Sequence, residues 1–250
     1  MAEAPLIEVR GLTVTRGSSV VQRGLAFTVR RGQVFAIMGD TGAGKSTLLR
    51  HMVGLERPAE GDVLYSGEGF WSGTEEDRER LKARFGVLFA GGALLSTKTL
   101  LENVTLGLRL HTNLADEDVL AVARLKLALM GLTRLEHHYP SEVDESRRAW
   151  AGLARATALD PEILFLEEPS TRLDPLGARR VDDLIRRLRD DSGATVVLVS
   201  NDVPSIFEVA DEAIFLDSES KTMTARGNPA HLRDHAADPE VRAFLGGERS

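Results

Sequence analysis

Nine residues constrain this chain more than any others. Gly39-Asp40-Thr41-Gly42-Ala43-Gly44-Lys45-Ser46-Thr47 fits G-x-x-x-x-G-K-[ST]. Residues 33–38 before it form a short apolar run that reads as a strand, and residues 47–53 after it read as a helix. Strand, glycine-rich turn and helix is the context in which this spacing makes a phosphate cradle, the P-loop. The glycines let backbone N–H groups converge on phosphate oxygens where a Cβ would block approach. The helix adds the positive end of its dipole. Lys45 offers a point charge to the β- and γ-phosphates of a nucleotide, and the Ser46 hydroxyl suits Mg²⁺.

A second run supports the first. Ile163-Leu164-Phe165-Leu166-Glu167-Glu168 is an apolar strand ending in two carboxylates. An acidic strand end alone is usually a solvated edge. In a P-loop chain it is where a Mg²⁺-associated acid and a water-polarising acid are found, which makes Glu167 and Glu168 site candidates.

The remaining pattern predicts an α/β fold. Residues 6–15 and 25–30 alternate apolar and polar side chains, as half-buried antiparallel strands do. Residues 86–89, 162–166, 195–200 and 212–217 read as further strands, most with the continuous apolar character of a buried parallel sheet. Residues 74–84, 176–189 and 206–210 read as helices, and the arginines near 179–189 as a solvated face. Residues 100–158 carry helical periodicity with few strand signals, and residues 228 onward read as a polar helical tail. His137 and His138 are adjacent, share no helix face and read as loop residues. Trp71 and Trp150 read as packing residues.

Composition excludes several functions. The chain has 250 residues, no cysteine and a formal net charge of −7. Disulfides and Cys-based metal sites or nucleophiles are therefore absent, and the acidic balance argues against broad binding to nucleic acid or anionic lipid. The start of the chain lacks the basic and apolar regions of a signal peptide, and no apolar run is long enough to span a bilayer. These features predict a cytoplasmic chain that meets a membrane only through a partner.

The ordered set of motifs resembles the nucleotide-binding subunits of ABC transporters. Carrying that resemblance are the P-loop, Glu167-Glu168-Pro169, Leu173-Asp174-Pro175 and Ser200-Asn201-Asp202. Residues 88–94, 102–104, 139–142 and 238–245 look more narrowly like the ATPase of Mla/Mce-type lipid-transport systems. The resemblance implies a P-loop NTPase fold with a RecA-like core, an antiparallel β lobe and an inserted helical lobe at about 91–158, all in one domain spanning 1–250. It further implies ATP and Mg²⁺ as ligands and a transmembrane permease as partner. ATP would be sandwiched in a homodimer, or in a heterodimer with another ATPase subunit, on the inner face of the membrane. ATP would contact Arg16, Gly39, Gly42, Ala43, Gly44, Lys45, Ser46, Thr47 and Asp174; Mg²⁺ would be held by Ser46 and Glu167; Glu168 would polarise water.

Measured against the resemblance, the chain departs where chemistry is done. The family's Leu-Ser-Gly-Gly-Gln-like signature, which binds the partner's γ-phosphate, is Val143-Asp144-Glu145-Ser146-Arg147 here. A like-charge contact at about 4 Å costs on the order of 4 kcal/mol at an effective dielectric near 20. Rotation of the acids away from the phosphate, or offset by Arg147 and Arg148, would reduce that cost. Ala90 stands where the family has a Gln that reaches Mg²⁺ and water, Asn201 where it has a His, and Glu167 where it has an Asp. Arg16 replaces the aromatic residue that stacks on adenine, and a guanidinium plane can also stack. The reading these departures favour is an MgATP-binding subunit with weak or lost hydrolysis. Two alternatives stay open: a working motor with variant loops, and a soluble regulator of the same fold.

Overall fold

In the computed structural model, which describes residues 4–247, two sheets share the chain. The chain begins with β1 (Ile7–Arg16), β2 (Ser19–Val29), β3 (Val34–Gly39), α1 (Lys45–Met52), β4 (Glu60–Tyr65), β5 (Glu68–Gly69), α2 (Glu75–Lys82) and β6 (Phe85–Leu88). It then passes through α3 (Leu100–His111), α4 (Asp116–Leu129) and α5 (Glu145–Ala156) before β7 (Ile163–Glu167). After β7 come α6 (Pro175–Ser192), β8 (Thr195–Val199), α7 (Val203–Val209), β9 (Glu212–Asp217), β10 (Thr222–Gly227), α8 (Pro229–His235) and α9 (Pro239–Leu245).

The main sheet has the order β10-β9-β3-β8-β7-β6. Its strands are parallel except β10, which pairs antiparallel with β9. Every residue of β3 and β8 is buried, as a parallel strand covered on both faces requires. The second sheet, β2-β1-β4-β5, is antiparallel. Between the sheets lies an aromatic cluster in which Tyr65 meets Phe85 at 4.7 Å between ring centroids and Phe85 meets Phe165 at 5.3 Å. The Tyr65 hydroxyl donates to the Met52 carbonyl at 2.5 Å, which ties β4 to the end of α1.

Three strands, β4, the two-residue β5 and β10, fall outside the sequence reading. β4 opens on Glu60-Gly61-Asp62 and β10 reads Thr-Met-Thr-Ala-Arg-Gly. β10 is an edge strand on which no residue is fully buried, so its sequence lacks an apolar run to announce it. β2 also starts at Ser19, six positions before the alternation becomes regular at 25.

The tail corrects the sequence reading further. It is helical, but Leu232, Val241, Phe244 and Leu245 are buried against Ala36, Met38, Ile206 and Phe215. Phe244 meets Phe215 edge-on, with centroids 5.4 Å apart. Fully burying one such side chain is worth about 1.5–3 kcal/mol, so α8 and α9 close one face of the main sheet. The arginines of α6 are likewise more than a solvated face. The Arg180 guanidinium lies 4.8 Å from the Trp150 ring centroid. Arg186 pairs with Glu208 on α7, and Arg189 reaches Asp211 at 3.3 Å.

Candidate functional site

The P-loop is a turn that only glycine can make at two of its positions. Gly39 ends β3 at φ +146°, and a Cβ there would lie 2.2 Å from the Leu216 carbonyl oxygen on β9. Gly44 caps α1 in the left-handed region at φ +89°, where a Cβ would lie 2.3 Å from the Val21 side chain. The turn closes with Ala43 N–H donating to the Asp40 carbonyl at 3.1 Å. Lys45 is buried, and its ammonium donates to the carbonyls of Gly39 at 2.7 Å and Asp40 at 2.9 Å. Burial pushes its pKa down, while the charges of Glu168 and Asp40 oppose that shift. Arg16, Val21, Gly42, Gly44, Lys45, Ser46 and Thr47 line one concavity. The fold thus brings Arg16, distant in sequence, to the mouth of the loop.

Sequence reasoning missed Gln22. Fully buried on β2, it donates from Nε2 to the Ala43 carbonyl at 2.8 Å and to the Asp217 carbonyl at 2.9 Å. One amide therefore pins the P-loop to the small sheet and to the end of β9. A lone Gln in an alternating strand gives no signal of this.

The end of β7 supplies the acids. Glu168 adopts φ +46°, a left-handed conformation that costs a non-glycine residue about 1–2 kcal/mol. Its backbone N–H donates to the Val199 carbonyl at 2.8 Å. One carboxylate oxygen accepts from the Thr171 hydroxyl at 2.8 Å and the other from the Asn201 N–H at 3.2 Å. Glu167 accepts from the Ala90 N–H at 3.2 Å through Oε2. Each acid therefore holds the main chain of a residue whose side chain departs from the family pattern. The Ser170 hydroxyl donates to Asp202 at 3.0 Å, closing the gap between the two loops. Asp174 is exposed and caps α6, accepting from the Gly177 N–H at 2.7 Å.

The segment at 144–147 does not line the P-loop concavity. Asp144 caps α5 by accepting from the Arg147 N–H at 2.8 Å, and it pairs with the Arg147 guanidinium at 2.8 Å. Glu145 pairs with Arg172 at 2.8 Å and with Arg148 at 3.7 Å. Arg148 itself is turned under the loop, donating to the carbonyls of Val143 at 2.7 Å and Pro140 at 3.2 Å. The neutralising cations are therefore chiefly Arg147 and Arg172, not Arg147 and Arg148. Ser146 is half-buried within the first turn of α5.

Chemically, the loop amides and Lys45 form a cradle for phosphate oxygens. The Ser46 hydroxyl and the Glu167 carboxylate are hard oxygen donors of the kind Mg²⁺ takes. Among the described residues no three His, Cys, Asp or Glu side chains gather as a metal cage. A cation held by nucleotide phosphates plus one or two side chains fits this donor set; an all-protein site does not.

Comparison with known proteins decides the family, because residues 22–171 match the ABC transporter domain. The chain belongs to the ABC transporter family. It is 34% identical over 97% of its length, and over 91% of the relative, to the intermembrane phospholipid transport system ATP-binding protein MlaF of Haemophilus influenzae. It is 35% identical over 98% of its length, and over 90% of the relative, to MlaF of Escherichia coli. A probable ribonucleotide transport ATP-binding protein, Mkl of Mycobacterium tuberculosis, is 33% identical over 97% of this chain and 67% of that one. The fold matches that of a bacterial ABC transporter cassette solved as a dimer, with a TM-score of 0.83 and 24% identity over 89% of this chain and 98% of that one. Among the described residues of this family member, no helix is long and apolar enough to cross a membrane.

Proposed function

We propose that the chain is the MgATP-binding subunit of a phospholipid transporter, docked on a transmembrane permease at the cytoplasmic face of the membrane. The observation that carries the reading is the convergence of the P-loop, Lys45 and the Glu167–Glu168 pair at the ends of β3 and β7. The lipid cargo rests on the similarity to MlaF.

In this reading the loop amides and Lys45 hold the β- and γ-phosphates, and Arg16 lies against the base. Mg²⁺, held by Ser46 and Glu167, would neutralise phosphate charge. Glu168 is positioned by Thr171 and by the Asn201 N–H to accept a hydrogen bond from an attacking water. Two contributions to transition-state stabilisation are missing: the Ala90 methyl offers neither donor nor acceptor to that water, and Asn201 carries no titratable proton. Removing one positioned donor typically lowers turnover by about 10²–10³-fold, so hydrolysis is slow and ATP acts largely as a ligand that sets conformation. Residues 144–147 lie outside the chain's own concavity, so they meet nucleotide only across a dimer, with a second copy or a related subunit.

A second reading, a working motor, is favoured by two observations. Glu168 is intact, and the acids at 144 and 145 are already paired with arginines. ATP turnover by the permease-bound subunit, compared with Lys45→Ala, separates the two. Nucleotide binding that is lost in Lys45→Ala, with wild-type turnover at the mutant's level, supports the slow-hydrolysis reading. Clear wild-type turnover abolished by Lys45→Ala establishes the motor instead.

A further inference from the structure

α8 carries two histidines four positions apart, His231 and His235. Residues at that spacing on a helix are surface neighbours. Their rings lie side by side, with centroids 4.6 Å apart and planes 15° from parallel. Both side chains are exposed, but the helix beneath them is fixed. Asn228 caps it, accepting from the N–H groups of Ala230 at 3.0 Å and His231 at 3.3 Å. Leu232 is buried, and the Arg233 guanidinium lies 5.4 Å from the centroid of the Phe207 ring on α7. One of the two rings is also oriented. His235 Nδ1 lies 3.2 Å from the His231 carbonyl oxygen. A carbonyl only accepts, so in this contact Nδ1 carries the proton and Nε2 keeps its lone pair.

We propose that His231 and His235 chelate a late divalent transition ion, Cu²⁺ or Zn²⁺, across the last turn of α8. Two imidazoles four positions apart on one helix face are a metal-binding pair. A ligating histidine ordinarily donates its other ring N–H to a carbonyl or carboxylate, which fixes the tautomer that binds metal. His235 makes that contact within the same turn. Metal–nitrogen bonds of about 2.0–2.1 Å, meeting near a right or tetrahedral angle, put two ligating nitrogens ~3 Å apart. Rings with centroids 4.6 Å apart reach that by partial turns about χ2, a broad torsion, with the helix unchanged. Arg233 holds the Asp234 carboxylate at 2.7 and 3.1 Å. That acid therefore neutralises the arginine beside the pair and supplies no third ligand, so the ion keeps water in its other positions. With imidazole donors alone, affinity runs Cu²⁺ above Zn²⁺, and Mg²⁺ and Ca²⁺, which take oxygen, are excluded. The pair stands apart from the P-loop concavity, and the proposal does not depend on nucleotide binding. The ion would tie the end of α8, which helps close one face of the main sheet, to its preceding turn.

Copper titration of the full, tag-free chain at pH 7.5 tests this with no activity readout. Binding is followed by calorimetry and by electron paramagnetic resonance for wild type, His231→Gln, His235→Gln and the double variant, and Zn²⁺ is titrated in parallel. Expected in wild type is one Cu²⁺ per chain with two imidazole nitrogens in its spectrum, and weaker Zn²⁺ binding at the same place. Each single variant is expected to bind Cu²⁺ more than about tenfold more weakly and through one imidazole nitrogen, since disturbing even a ligand's supporting partner costs about 10–100-fold. The double variant is expected to lose the site. Both positions are exposed, and metal-free urea midpoints matching wild type confirm that the variants fold. The nitrogen count in wild type is a test that needs no variant. A wild-type spectrum with fewer than two imidazole nitrogens overturns the chelate. So does Cu²⁺ binding that either single substitution leaves unchanged, which would assign the ion to His111, His137 or His138 instead. Zn²⁺ bound more tightly than Cu²⁺ overturns the two-imidazole donor set.

Discussion

Arg172, on the loop that follows the β7 carboxylates, reaches Glu145 in the first turn of α5, with Nη1 and Oε2 2.8 Å apart. Twenty-seven positions separate the pair in sequence, so nothing in the local pattern foretells it. Both side chains are about half exposed, and such a pair contributes only about 0.2–1 kcal/mol to folding. In the dimer proposed above, its consequence would lie at the contact between subunits, where an acid without its arginine would meet phosphate.

Arg172→Ala is expected to leave the unfolding midpoint within the range of a surface substitution and to weaken ATP-driven self-association. Asp144→Ser combined with Glu145→Gly removes both charges and is expected to strengthen it by about tenfold or more, since ~1.4 kcal/mol is one decade and the charge contact was placed at a few kcal/mol. Sedimentation velocity with MgATP in a Glu168→Gln background measures both. Unchanged association in the double variant would show that these acids do not face the partner's nucleotide.

Gln22→Met is expected to act on the P-loop from beneath. The thioether fills similar space but donates nothing, so the carbonyls of Ala43 and Asp217 lose their shared donor in the interior. A buried polar group left unpaired costs about 1–3 kcal/mol. Because Ala43 belongs to the loop itself, fluorescent-nucleotide titration should show weaker ATP binding alongside a lower denaturant midpoint. A loss of stability with unchanged affinity would mean that Gln22 supports β2 and β9 without shaping the loop.

How much of this was legible depends on where each element's signal is carried. β3, β7 and β8 are buried on both faces, so they appear as apolar runs, and the P-loop between β3 and α1 follows from spacing alone. β10 pairs through its backbone at an edge and offers no run to read. The tail hides its role because Val241, Phe244 and Leu245 fall on one face of a single short helix whose other positions, Pro239, Glu240, Arg242 and Ala243, are exposed or half-buried and supply no long apolar run. Within the site, Lys45, Ser46, Glu167 and Glu168 stand out from their motifs. Gln22 and Arg172 do not, since each acts on the backbone or charge of a residue far away in the chain. In the sequence, Asn201 and Ala90 read as losses. The structure adds that their N–H groups are bound by Glu168 and Glu167, contacts that no side-chain identity encodes.

His51 gives a pH dependence with a definite sign. It is buried at the end of α1 and accepts from the Thr15 N–H at 3.2 Å through Nε2, next to Arg16 at the mouth of the loop. Burial lowers its pKa, against the attraction of Glu56, whose nearest carboxylate oxygen lies 4.0 Å from Nδ1. Below the ordinary imidazole value of 6.5 the unfolded chain therefore binds a proton that the folded chain refuses. The stabilising contribution of neutral His51 is complete above that value and is lost as pH falls from it through the lowered folded pKa. Protonation also removes the Nε2 lone pair that accepts from Thr15, so the β1 end bearing Arg16 should loosen in the same window. Urea midpoints followed from pH 7.5 to pH 5 should decline more steeply in wild type than in His51→Gln, which can keep an acceptor near Thr15 but does not titrate. Parallel slopes for the two proteins would assign the acid sensitivity to groups other than His51.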